Sequence, residues 1–344
     1  MEKSVFIGTS NRGFAQQAQE EIRRLFTVPV HSVWLVPNEI FKFELAVNRA
    51  EAVKMLLEKE PAFLRHMHPV DAEAEWGGTS ESALHFALEY LRTSGSLSGL
   101  RVAVQIRKTE DQIGGECSPS ELKQELDEML AKDFGAEPVV KEADEIISML
   151  LARDRLYIGR SKPSENLSDW SGGAVRFRKE DGQISRAKFK LLEAESAFGL
   201  DFSQYRSALD IGAAPGGWTS LLLERDVQVT AVDPAKLDAG LLRNPKLTYL
   251  QKNAGDVVFS SNAFDLLVCD MSWSHRQMAK LVKGLLYALQ AGGTAIITVK
   301  LMNKKAFQTL REVIQDLSPE LEVQKAKQLF HNREELTLFL LKRY

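Results

Sequence analysis

The stretch from Ala208 to Ser220, A-L-D-I-G-A-A-P-G-G-W-T-S, constrains the chain most. An apolar run ends in an acid, passes through a turn of small residues and enters an amphipathic segment. That order reads as strand, glycine-rich turn, helix, in which Gly212, Gly216 and Gly217 let the backbone approach a bound nucleoside closely. The turn is not the G-x-G-x-x-G dinucleotide fingerprint, and Pro215 removes an N–H that a pyrophosphate-binding loop would use. S-adenosylmethionine fits the turn better than a nicotinamide cofactor does.

After this turn, strand and helix alternate. Strands are predicted at Ser207–Gly212, Gln228–Asp233, Leu247–Gln251, Phe264–Asp270 and Gly293–Lys300, with helices at about Gly217–Glu224, Leu237–Leu242, His275–Gln290 and Lys304–Leu317. Such alternation predicts an α/β fold with a doubly wound parallel sheet. Leu321–Phe330 and Glu335–Leu341 read as strands joined only by His331–Glu334, too short for a crossover, so the sheet should close with an antiparallel hairpin. This is the Rossmann-like architecture of class I methyltransferases.

Upstream, short strands and helices predict α+β modules. Residues 1–64 read as a small α+β unit, 65–160 as a second module and 161–182 as a linker, because this last stretch is polar, carries Pro163, Gly172 and Gly173, and lacks periodicity. Residues 183–344 form the cofactor domain. The formal charge of -3 hides an asymmetry: residues 1–150 carry a net -9 and residues 151–344 a net +6. Phosphate-contacting surface is therefore expected in the C-terminal part, where Arg176, Arg178, Lys179, Arg186 and Lys188 cluster ahead of the sheet. The acidity of the N-terminal part speaks against RNA binding over a broad face there. No run of eighteen apolar residues and no cleavable signal appear, so a cytoplasmic protein with no membrane partner is expected. Cys117 and Cys269 alone cannot build a disulfide framework or a thiolate cluster, and no metal is expected; His66 and His68 in R-H-M-H-P read as an ordinary loop.

In open α/β sheets, ligands sit beyond the carboxyl ends of the strands. Asp233 closes the second strand about twenty residues after the turn, where a carboxylate can accept the ribose hydroxyls of the cofactor. Asp210 orders the turn or balances the sulfonium, while Asn253 or Asp256 is placed to bond the adenine amino group. Ala213, Ala214 and Trp218 complete the candidate cofactor set with Pro215 and the three glycines. Asp270, Lys300 and Glu335 lie near the ends of strands that should be neighbours, which predicts a mutually neutralising cluster, and Lys190 in S-R-A-K-F-K-L is placed to complete it. Base methylation would need other equipment: the loop after the fourth strand reads D-M-S-W, not Asn/Asp-Pro-Pro-aromatic, and Cys269 lies inside an apolar strand.

The segments S-R-A-K-F-K-L, D-I-G-A-A-P-G-G-W-T, V-C-D-M, T-V-K-L and H-N-R-E-E-L-T resemble the FtsJ-like 2′-O-ribose methyltransferases. The resemblance implies S-adenosylmethionine as cofactor, RNA as substrate and a Lys-Asp-Lys-Glu tetrad mapping onto Lys190, Asp270, Lys300 and Glu335. Lys188 and Glu334 are close competitors for the first and last places. The family's adenine-contacting acid aligns with Asn253, leaving Asp256 as a substitute. Within the family, the closing Q-L-F-H-N-R-E-E-L-T and the domain order point towards large-subunit rRNA. The segment from Arg65 to Ser161 is similar to a THUMP domain, which implies recognition of RNA shape, and the unit at 1–64 resembles the ferredoxin-like partner that often precedes one. Set against this are two other readings: an RNA-binding or ribosome-assembly factor whose methyltransferase fold is only a scaffold, and an RNA base methyltransferase.

Overall fold

The computed structural model describes residues 3–109, 117–178 and 183–344. They form two compact units, one up to Ala174 and one from Val175 onward. No helix among the described residues is long and apolar enough to cross a membrane.

The first unit opens with β1 (Ser4–Thr9), α1 (Ala15–Leu25), β2 (Val30–Val36), β3 (Ile40–Leu45), α2 (Arg49–Lys59) and β4 (His66–Pro69). The strands pair antiparallel in the order β2-β3-β1-β4, a ferredoxin-like βαββαβ arrangement. The sheet thus runs past residue 64, to Pro69. R-H-M-H-P is not a loop: it is β4, with both imidazoles buried. Burial pushes both rings towards the neutral form, His68 to about 4.

A five-stranded sheet follows, from β5 (Ala72–Glu75), α3 (Ser80–Thr93), β6 (Arg101–Lys108), α4 (Pro119–Asp133), β7 (Glu137–Pro138), β8 (Glu145–Leu151) and β9 (Arg155–Ser161), in the order β5-β9-β8-β6-β7. Helix α4 starts where the sequence S-P-S-E predicts, with Ser118 accepting from Glu121 N and Pro119 in the first turn. The expected linker is packed into this unit as far as Gly173. Asn166 O accepts from Met67 N, Gly172 O accepts from Arg65 Nε, and Asn166 is fully buried. Aperiodic sequence here reflects backbone bonded to neighbouring strands instead of solvated chain.

The second unit contains α5 (Ala187–Ala197), β10 (Ser207–Ile211), α6 (Gly217–Glu224), β11 (Gln228–Val232), β12 (Leu247–Leu250), β13 (Phe264–Cys269), α7 (His275–Leu285), β14 (Leu289–Lys300), α8 (Ala306–Leu317), β15 (Leu321–Lys327) and β16 (Glu335–Lys342). The order is β12-β11-β10-β13-β14-β16-β15, with the first five strands parallel and β16 antiparallel to both neighbours. Strand β13 is buried at every position, as a central strand covered on both faces must be. The expected helix at Leu237–Leu242 shrinks to one 3₁₀ turn, Leu241–Arg243, because Pro234, Gly240 and Pro245 leave no room for a longer one. Leu191, Trp218, Leu222, Val229, Leu266 and Ile296 belong to the core that joins α5, α6 and the sheet.

Candidate active site

The chain from β10 to α6 turns at two glycines that the backbone requires. Gly212 has φ +76°, and a Cβ there would lie 2.5 Å from Met271 Cγ; Gly216 has φ +117°, and its Cβ would lie 2.3 Å from Leu241 Cδ1. Beneath the turn Asp210 is 1% exposed and accepts from Thr219 Oγ1 at 2.6 Å. Burial pushes its carboxyl up to about 7, against the pull of the Thr219 bond and with help from Asp270 and Asp233.

A cavity of about 210 Å³ opens beside the turn. Its wall includes the expected Gly212, Ala214, Asp233, Asn253 and Asp270, together with Met271 and Trp273. Asp233 accepts from Ala214 N at 3.0 Å and from Ala235 N at 2.7 Å, which ties the turn to the end of β11. Each carboxylate oxygen keeps a second lone pair, so hydroxyls can still be accepted there. Asn253 donates from Nδ2 to Asp256 Oδ2 at 3.2 Å, so Asn253 meets the cavity while Asp256 holds its amide from outside the wall. A cradle that a Cβ at Gly212 would fill, a carboxylate and an amide in one wall fit the adenosine part of a nucleoside cofactor.

Other expected cofactor residues stand back from the wall. Ala213, Pro215, Gly216 and Gly217 shape the turn. Trp218 is a correction: it is 3% exposed, and its indole N–H donates to Ala187 O at 2.9 Å, joining α6 to the start of α5. A large ring at the first turn of a buried helix finds its place in the core.

At the far side of Asp270, Lys190 Nζ lies 3.2 and 3.3 Å from the two Asp270 oxygens and 3.7 Å from Glu335 Oε1. Thr298 donates to Asp270 Oδ1 at 2.7 Å. Lys300 ends β14 directly opposite Glu335 in the ladder, but it is exposed and makes no ion pair among the described residues. The expected cluster therefore forms from Lys190, Asp270 and Glu335, with Lys300 beside it and not within it. Of the competitors, Lys188 is buried and pairs with Glu224 at 2.8 Å, and the Glu334 side chain is exposed. That also corrects Lys188 as a phosphate contact. Arg176, Arg178 and Arg186 are exposed, whereas Lys179 lies outside the described residues. Sequence reasoning missed Thr298, Met271 and Trp273; Thr298 is two positions before Lys300 on one strand, a spacing that puts both on the same face.

Cys269 is fully buried, and burial pushes its thiol well up, which removes it as a nucleophile. No group of three or more His, Cys, Asp or Glu among the described residues is arranged to hold a metal.

Residues 183–333 match the FtsJ-like methyltransferase family, and this segment is an FtsJ-like methyltransferase domain. The match implies S-adenosylmethionine as the cofactor. The chain is similar to proteins named Ribosomal RNA large subunit methyltransferase M. That of Psychromonas ingrahamii is 34% identical over 194 residues, 53% of each chain. Those of Laribacter hongkongensis and Methylococcus capsulatus are 30% identical over 55% of this chain and 56% of theirs, and 31% identical over 58% of each. The chain spans about half the length of the curated relatives it matches.

Proposed function

We propose that this chain transfers a methyl group from S-adenosylmethionine to a ribose 2′-hydroxyl of RNA, in particular of large-subunit rRNA. The observation that carries the reading is the placement of Lys190, Asp270 and Glu335 in one ion-paired group, with Asp270 also forming part of the cavity wall. The relatives' names, large-subunit rRNA methyltransferases, supply the substrate class.

Bound S-adenosylmethionine supplies an electrophilic methyl on a sulfonium. Asp233 would hold its ribose hydroxyls and Asn253 its adenine. Asp210, beneath the turn, places a carboxyl where a sulfonium favours the ionised form. On the acceptor side, Asp270 and Glu335 hold the Lys190 ammonium, whose N–H groups orient the attacking 2′-oxygen. Lys300, without a carboxylate partner among the described residues to hold its ammonium form, would in its neutral amine form take the hydroxyl proton as the 2′-oxygen bonds the methyl carbon and the carbon–sulfur bond breaks. The exposed Arg176, Arg178 and Arg186 would meet phosphates of the substrate strand. In this reading the first unit, including its THUMP-like segment at 65–160, selects the RNA, and the second unit performs the transfer.

The test is methyl transfer from labelled S-adenosylmethionine to total rRNA from cells lacking the gene. Wild-type chain should label the rRNA and Lys300→Ala should not. Absence of labelling by the wild type would reject the reading.

A further inference from the structure

Helix α5 carries Lys190, and three positions on, on the same face, Glu193. Glu193 is 4% exposed and spends its carboxylate on the loop between β15 and β16. Oε1 accepts from Phe330 N at 2.7 Å, and Oε2 accepts from His331 N at 2.9 Å. The His331 ring lies with Nδ1 2.7 Å from Glu193 Oε2, where an ionised carboxylate makes Nδ1 the donor. The same imidazole stacks on Phe177 and packs on Phe189, with ring centroids 5.5 and 5.3 Å away.

That loop is braced within itself. Asn332 Oδ1 accepts from Leu329 N at 2.9 Å and from Thr337 Oγ1 at 3.0 Å, and Arg333 N donates to Glu335 Oε2 at 2.8 Å. Glu335 is therefore fixed relative to His331, four residues earlier. Helix α5 is also fixed on α6 by the Trp218 bond to Ala187 O and, just past the end of α6, by Arg225 on Glu195 at 2.7 Å. One carboxylate thus ties the element bearing Lys190 to the loop that leads into Glu335, and the Lys190–Glu335 pair spans 3.7 Å.

We propose that Glu193 and His331 are positioning residues that set the Lys190–Glu335 separation and through it the turnover of the methyl transfer, a claim that rests on the function proposed above. Neither residue touches the cavity wall, so cofactor affinity should not depend on them. A charge-assisted bond of this kind is directional, and a displacement on the order of 1 Å at a reacting group costs about 100-fold in rate.

The experiment compares His331→Phe, which keeps an aromatic ring and loses the donor, with His331→Asn, whose amide nitrogen takes the place of Nδ1 and loses the ring. With labelled S-adenosylmethionine and rRNA from cells lacking the gene, His331→Phe should lower kcat roughly 100-fold, with KM for rRNA and calorimetric cofactor affinity unchanged. His331→Asn should keep most of the wild-type kcat. If His331→Phe does not fold, His331→Leu takes its place with the same expectation. A donor-less variant with wild-type kcat overturns the proposal, as does His331→Asn falling as far as His331→Phe, which would assign the effect to ring packing. Wild-type chain inactive on rRNA would instead reject the methyl-transfer reading, and this inference falls with it.

Discussion

Lys190 Nζ lies 3.2 Å from Asp270 Oδ1, joining a helix ahead of the sheet to a strand end 80 positions later in the chain. Two carboxylates share this ammonium, while Lys300, across the ladder from Glu335, has no ion pair among the described residues. In the proposed reaction the two lysines therefore have different tasks, one orienting and one accepting a proton.

Replacing Lys300 with Ala should reduce methyl transfer by on the order of 100- to 10,000-fold, the usual cost of losing an acid–base group, with calorimetric affinity for S-adenosylmethionine unchanged. Lys190→Ala should lose turnover too, and in addition leave Asp270 and Glu335 without their shared cation, lowering the thermal unfolding temperature. A Lys300→Ala variant with wild-type turnover would remove that residue from the mechanism.

Gly212→Val should abolish cofactor binding. Its Cβ would lie 2.5 Å from Met271 Cγ at the cavity wall, and φ +76° is strained for a branched side chain, costing roughly 1–3 kcal/mol of stability. Unchanged affinity by calorimetry would separate the glycine turn from the cofactor.

Asp210 links stability to pH. Its folded carboxyl is pushed up to about 7 from an ordinary value of 3.8, so the folded state holds a proton that the unfolded state releases. This contribution is fully present below pH 3.8 and is lost as pH rises towards and through about 7. Asp210→Asn, whose side-chain oxygen can still accept from Thr219, should therefore melt above the wild type at pH 8, with the gap shrinking towards pH 4. Parallel melting curves across that range would contradict the buried, proton-retaining carboxyl.

The combined Arg176→Ala, Arg178→Ala and Arg186→Ala variant should weaken RNA binding and flatten its salt dependence by roughly one unit of slope for each phosphate left without its guanidinium. An unchanged slope would place the phosphates elsewhere on the surface.

What the sequence made legible was local. The glycine turn, Asp233 at its strand end and the closing hairpin each follow from short-range patterns. Which of Lys188 and Lys190 faces Asp270 did not, because two positions on a helix point to nearly opposite sides. The choice is made by how α5 packs on α6 through Trp218 and Ala187, a contact between residues 31 positions apart. The polar stretch after Ser161 looked like a linker because its bonds run to distant strands, as from Arg65 to Gly172. His66 and His68 looked like loop residues because four residues are too few to show alternation.

The central claim is that the acceptor is a ribose oxygen of rRNA. The most direct measurement is to label total rRNA from cells lacking the gene with methyl-tritiated S-adenosylmethionine and the purified chain, separate the large- and small-subunit rRNAs, digest each to nucleosides and resolve these. Label is expected in a single 2′-O-methylated nucleoside of the large-subunit rRNA; label on a base, or none in rRNA, would contradict ribose methylation.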